Sequence, residues 1–202
     1  MMNVLRYSRA VALLIGSAWL LPACQSGTSQ HALIEFQGAT MGTTYTVKLV
    51  EPPPGLKPDG IQAEIDTRLE NINLQMSTYL EDSELSLFNR SQLTDWIDVS
   101  QQLVDVLQQA RRISDQTNGA FDVTVGPLVN LWGFGSEAAD EQLPSEQEIR
   151  AAMVRVGYAL LQLRSAPPAL KKNRADLYVD LSAIAKGYAV DVIAEYLRGL
   201  GI

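Results

Sequence analysis

The stretch DLSAIAKGYAVD, Asp180 to Asp191, leaves a strand-like run and enters a helix with neither glycine nor proline at the join. Upstream, DLYVDL (Asp176–Leu181) alternates as a strand does. Downstream, Ser182 is a good N-cap for a helix running toward Leu197. A helix start presents unpaired amides to an anion or to the polar edge of a cofactor. Asp180 sits beside that start. Its carboxylate suits two roles, accepting hydrogen bonds from a ligand's N–H or hydroxyl groups or capping its own backbone, and the pattern alone leaves both open. Lys186, one turn into the helix, is placed to reach a phosphate.

Working outward, YALLQL (158–163) and DLYVDL read as two strands separated by the loop RSAPPALKKNR. TTYTVKLV (Thr43–Val50) alternates with Tyr45, Val47 and Leu49 on one face. Ile61, Ile65, Leu69, Ile72 and Met76 recur at helical spacing and predict one amphipathic helix. A second helix is expected from the cap Ser100, turning Leu103, Leu107, Ala110 and Ile113 inward and stopping at Asn118-Gly119. A third begins at Ser145, with Glu148 completing a capping box. Strands and helices without a regular βαβ rhythm indicate an α+β fold, a mixed sheet with packed helices. The body carries no internal repeat, low-complexity segment or linker.

Three loops carry residues that turning the chain does not require. In GATMGTTY, Met41 stands among small residues at the mouth of a strand; gap filling is the plainer role, and a polarizable thioether covering a flat aromatic ligand is the other. In MSTYLEDSELSLFN, Tyr79 follows a helix end, and Asp82 or Ser83 caps a short helix. In TNGAFDVTVGPLVNLWGFG, Asp122 follows an aromatic residue and Pro127 suits the first turn of a helix bearing Leu128, Leu131 and Trp132. Gly126, Gly133 and Gly135 are expected to let the backbone approach a ligand, although GFG alone is no phosphate-binding fingerprint.

With 202 residues, 47% of them hydrophobic, the chain suits one well-packed domain. Beyond residue 23 it holds 14 basic and 23 acidic groups, a net of −9, which repels nucleic acid. At the N-terminus Arg6 and Arg9 precede a 12-residue apolar run that ends in LPAC. The run is short of the roughly 20 residues a membrane span needs, so residues 1–23 read as a lipoprotein signal peptide and Cys24, the only cysteine, as the lipidated residue. Residues 24–37 follow as a tether, containing the sole histidine His31, and the start of a first strand; 38–202 form the domain.

MGTTYTV, MSTYLEDSELSLFN, TNGAFDVTVGPLVNLWGFG and DLSAIAKGYAVD, in this order behind such a signal, resemble the ApbE family, the FAD:protein FMN transferases, from about Gly38 to the last residue. The resemblance implies an enzyme that binds FAD with Mg2+, splits the pyrophosphate, releases AMP and places FMN on a threonine or serine hydroxyl of an acceptor flavoprotein, typically a subunit of a membrane redox pump. It implies flavin contacts from Met41 and Tyr79, a lining of the FAD site by Ala120, Phe121 and Asp122, orientation of the cofactor by Asp180, and a phosphate contact from Lys186. Ala183 matches a magnesium-binding position, where only its backbone carbonyl can serve. The lipid anchor and the family's acceptors imply the periplasmic side of the inner membrane, with the outer membrane as the alternative.

Family members continue past the position of Ile202 with a strand-rich half, a TSG-like segment and an H-x-x-D-P-x-T-G-like motif that completes the metal site and the chemistry. The resemblance therefore implies an N-terminal portion whose catalytic groups lie beyond Ile202 and which by itself does not transfer FMN. Two other readings stand beside it: a lipid-anchored flavin-binding protein without catalysis, and a Mg-dependent FAD pyrophosphatase.

Overall fold

The structure, a computed structural model, describes residues 32–136 and 143–202. The signal peptide, Cys24 and His31 lie outside the described residues. Leu33–Ile202 forms one unit, and its architecture is α+β, with the strands divided between two small sheets that are antiparallel throughout.

Strands β1 (Leu33–Thr40) and β2 (Thr43–Val50) form a hairpin in which Leu49 is buried on the face that sequence alternation assigns to it. Its turn is Met41-Gly42, with φ of 49° and 69°. Two positive φ values are the primed turn that suits the twist of paired strands, and Asn-Gly or Asp-Gly is its usual occupant. A methionine in the left-handed region is uncommon and costs energy.

Helix α1 (Pro58–Met76) buries the five residues expected from their spacing, Ile61, Ile65, Leu69, Ile72 and Met76. Removing each such side chain from water contributes on the order of 1.5–3 kcal/mol, so this stripe outweighs the helix's lack of a side-chain N-cap. Helix α2 (Glu84–Arg90) starts at Ser83, whose hydroxyl accepts from the Ser86 amide. After the two-residue strand β3 (Ile97–Asp98), α3 (Gln101–Gln116) is capped by Ser100 and ends where Asn118 and Gly119 take φ of 51° and 81°. Helix α4 (Gly126–Leu131) is a short turn entered through Pro127, and α5 (Glu146–Met153) carries the Ser145/Glu148 capping box in full.

The chain departs from the sequence reading in its last third. YALLQL divides into a 3-10 turn, Tyr158–Leu160, and strand β4, Leu161–Ser165. The segment read as a loop contains strand β5 (Pro168–Lys172), which lies between β3 and β4. In DLYVDL, Leu177, Val179 and Leu181 are fully buried as alternation places them, yet the segment joins neither sheet. Helix α6 (Ala185–Gly199) starts later than expected: its N-cap is Ile184, without a side-chain cap. Ser182 stands in the preceding turn, where its amide donates to the Asp180 carboxylate and the amides of Ile184 and Ala185 both donate to the Leu181 carbonyl.

Helix α4 turns Gly126, Pro127 and Asn130 inward, whereas Trp132 is exposed. The expectation that Gly126 and Gly135 admit a ligand is also corrected. A Cβ on Gly126 would lie 2.3 Å from the Tyr178 ring, and one on Gly135 would lie 1.6 Å from Asn130 Oδ1. These glycines make room for the protein's own side chains. Among the described residues no helix is long and apolar enough to cross a membrane.

Candidate functional site

The ends of α1 and α3, the hairpin turn, α4 and the start of α6 surround one cavity of about 1180 Å3. Small-molecule sites usually span about 300–1,000 Å3, so this one is large enough for a ligand with two ring systems. Met41, Tyr79, Ala120, Phe121, Asp122, Asp180, Ala183 and Lys186 all lie on its wall, although the first and the last are 145 residues apart in sequence.

One side is apolar. Met41 reaches the cavity from the strained turn, Met76 from the last turn of α1, and Phe121 and Leu128 from the α3–α4 connection and α4. Aromatic rings and soft thioethers stack well on a flat conjugated ligand. At the rim Tyr79 is 64% exposed, and its hydroxyl donates to the Phe134 carbonyl at 3.2 Å.

The polar side is the start of α6. Asp180 is only 7% exposed. Its own amide donates to the Val123 carbonyl at 2.7 Å, and its Oδ1 accepts the Ser182 amide at 2.7 Å. Among the described residues, Oδ2 has no hydrogen-bond partner, and although the residue is buried this oxygen keeps access to the cavity. The Ala183 carbonyl and the amides of Ala183, Lys186 and Gly187 are likewise without a partner among the described residues. Lys186 makes no ion pair among them either, and its ammonium stands at the exposed rim. One free carboxylate oxygen, one free carbonyl, the free amides of Ala183 and Lys186 and a cation therefore belong to residues at the same end of the cavity.

Asp122 differs from Asp180. Its Oδ1 accepts from the Thr124 amide and hydroxyl, and its Oδ2 accepts the Tyr158 amide at 2.8 Å. Asp122 thus holds the cavity wall together rather than offering a free carboxylate. Sequence reasoning also passed over Asn89, whose side-chain amide exchanges two hydrogen bonds with the backbone of Val179, next to Asp180. Nothing in a local pattern marks a pairing that spans 90 residues.

Among the described residues no group of three or more His, Cys, Asp or Glu could hold a metal ion. The Ala183 carbonyl and Asp180 Oδ2 are oxygen donors of the kind Mg2+ takes, but two donors do not make its octahedral shell.

A model of the ApbE family matches residues 41–202. A relative from Vibrio cholerae, named an FAD:protein FMN transferase, is 44% identical over 188 residues, which are 93% of this chain and 55% of that protein. The solved structure of the flavin transferase ApbE from Vibrio cholerae superposes with a TM-score of 0.81 at 45% identity, covering 85% of this chain and 55% of that one. The apo flavinyl transferase ApbE from Pseudomonas stutzeri gives 0.77 at 34% identity, covering 85% and 56%. The chain thus spans about half the length of the relatives it matches. With the family model covering the whole described unit except β1, this chain belongs to the ApbE family.

Proposed function

We propose that the chain supplies the FAD-holding part of an FAD:protein FMN transferase, an enzyme that moves FMN from FAD to a threonine or serine hydroxyl of an acceptor flavoprotein and releases AMP. The observation that carries this reading is the meeting, in one large cavity, of an apolar wall with a cluster of unpaired polar groups. Met41, Tyr79 and Phe121 cover the ring systems. Asp180 Oδ2 accepts a hydrogen bond from a ligand N–H or hydroxyl. The amides at the start of α6 and Lys186 stabilise phosphate charge, an arrangement that helix N-termini favour.

In the transfer, the acceptor oxygen bonds to the FMN phosphorus, the bond to the AMP oxygen breaks, and the hydroxyl proton passes to a base. Charge builds on the leaving phosphate, and groups already in place act on it without reorganisation. Mg2+, when bound, supplies further neutralisation of that charge. The Ala183 carbonyl is the donor this chain would contribute to it. Hydrolysis of FAD to FMN and AMP differs only in using water in place of the acceptor hydroxyl.

The charged and apolar pattern before Cys24 supports a signal peptide (1–23) and a tether (24–37) ahead of this domain, residues 38–202, with Cys24 lipidated; the periplasmic side of the inner membrane and a redox-pump subunit as acceptor are what the family resemblance implies. Cys24→Ser is expected to release the protein from the membrane fraction, and unchanged fractionation would contradict the anchor. The functional reading is tested by titrating the protein with FAD, with FMN and AMP as competitors. Saturable one-to-one binding opposed by both halves of the dinucleotide is expected. Absence of saturable binding, or competition by only one half, would contradict a site spanning the pyrophosphate.

A further inference from the structure

We infer that Asn89 is a positioning residue for Asp180, and that α2 is the bracket joining it to the Tyr79 loop; this rests on the reading of the cavity as the FAD site. In the segment Leu177–Leu181, Leu177, Val179 and Leu181 are fully buried, and among the described residues no strand pairs with it. Asn89 takes a strand's place: its Nδ2 donates to the Val179 carbonyl at 2.8 Å and its Oδ1 accepts the Val179 amide at 2.8 Å. The next residue, Asp180, is held from the other side by the Val123 carbonyl. The direction of the Asp180 carboxylate is therefore set between a side chain of α2 and the backbone of the cavity wall.

The other end of α2 grips the opposite rim. The hydroxyls of Ser83 and Ser86 both donate to the Ser77 carbonyl, at 2.5 and 3.1 Å, and the Ser77 hydroxyl accepts the Tyr79 and Leu80 amides. The C-terminal end of α2 is fixed in turn by the buried Lys172, whose ammonium donates to the carbonyls of Asn89 and Ser91 at 3.0 and 2.8 Å. One short helix thus sets the spacing between Tyr79 and Asp180 across the cavity. A side chain that stabilised the core alone would have no need to bind the residue adjacent to the free carboxylate, nor to belong to the helix that orders the Tyr79 loop.

The test compares Asn89→Ala and Asn89→Asp with Val104→Ala, a buried change in α3 away from the cavity. Amide hydrogen exchange at Ser182, whose N–H reports the Asp180 carboxylate, is expected to accelerate by about tenfold or more in Asn89→Ala. The dissociation constant for FAD is expected to rise about tenfold, the loss of one good hydrogen bond to the ligand. Asn89→Asp keeps the acceptor for the Val179 amide but sets a carboxylate oxygen against the Val179 carbonyl, so its effect should be at least as large; if neither variant folds, Asn89→Gln, which displaces both groups by one methylene, is the decisive variant. Val104→Ala should leave both quantities within about twofold despite its loss of stability. Unchanged Ser182 exchange in Asn89→Ala, or an equal change in Val104→Ala, would overturn the inference. Failure of the unaltered protein to bind FAD would instead overturn the ligand reading, and the exchange data would still decide the role of Asn89.

Discussion

The starts of α3 and α5 and the start of α6 solve the same problem in opposite ways. At α3 the Ser100 hydroxyl accepts the Leu103 amide, and the Ser100 amide and hydroxyl both donate to Glu84. At α5 the Ser145/Glu148 box closes on itself. At α6 no side chain caps the helix, and the free amides, the Ala183 carbonyl and Asp180 Oδ2 face a large cavity. Groups satisfied inside the protein contribute to its stability; polar groups left open at a cavity wall are available to a ligand. The difference separates the frame of this protein from its site.

The largest effect is expected within the frame. Lys172 is fully buried and donates to three carbonyls, those of Asn89, Ser91 and Ala175, and Lys172→Met leaves all three without a donor. The variant should lose about 2–3 kcal/mol of unfolding free energy in denaturant titration, since unsatisfied buried acceptors cost about 1–3 kcal/mol each and the apolar replacement offsets part of this. A loss below about 0.5 kcal/mol would show that the frame does not depend on satisfying these groups.

The contrast between regions also explains what could be read in the sequence. The stripe Ile61–Met76 and the caps at Ser83, Ser100 and Ser145 are local signals, and each appears where its spacing places it. Strand β5 was hidden by Pro167-Pro168, which reads as a break; its strand character comes from pairing with β3 on one side and β4 on the other. The Leu177–Leu181 alternation marked burial correctly but not its partner, which is a side chain of α2. Glycine-rich spacing suggested room for a ligand, whereas Tyr178 and Asn130 fill that room. Local chemistry marked Asp180, Lys186 and Met41, motif resemblance completed the eight candidate site residues, and the structure brings them to one cavity; the free or satisfied state of each polar atom is a three-dimensional property.

A smaller effect is expected at the capped helices. Ser100→Ala and Ser145→Ala should each lower unfolding free energy by about 1 kcal/mol while leaving FAD affinity unchanged. A change in affinity comparable to the change in stability would blur the division between frame and site.

The frame also carries a pH dependence. Burial pulls the Lys172 ammonium down to about 8, with Asp176 opposing the shift. Below that pH the group is protonated in both folded and unfolded chains and contributes no slope. Between about 8 and the ordinary lysine value of 10.5, the unfolded chain binds more protons than the folded one, so unfolding free energy rises with pH. Comparing denaturation of the protein and of Lys172→Met from pH 7.5 to 9.5 isolates this rise, which the variant should lack; equal slopes would place the lysine's titration elsewhere.

The central claim is that the open start of α6 binds the dinucleotide. Calorimetric titration of FAD into the protein and into Asp180→Asn, with thermal unfolding of both recorded in parallel, tests it most directly. Losing a charged hydrogen bond typically costs about 1.5–3 kcal/mol, so the variant's dissociation constant should rise by about 10- to 150-fold while its unfolding midpoint moves little, because the amide oxygen still accepts from Ser182. An unchanged dissociation constant would show that Asp180 only turns the chain into α6 and that its free oxygen has no ligand to meet.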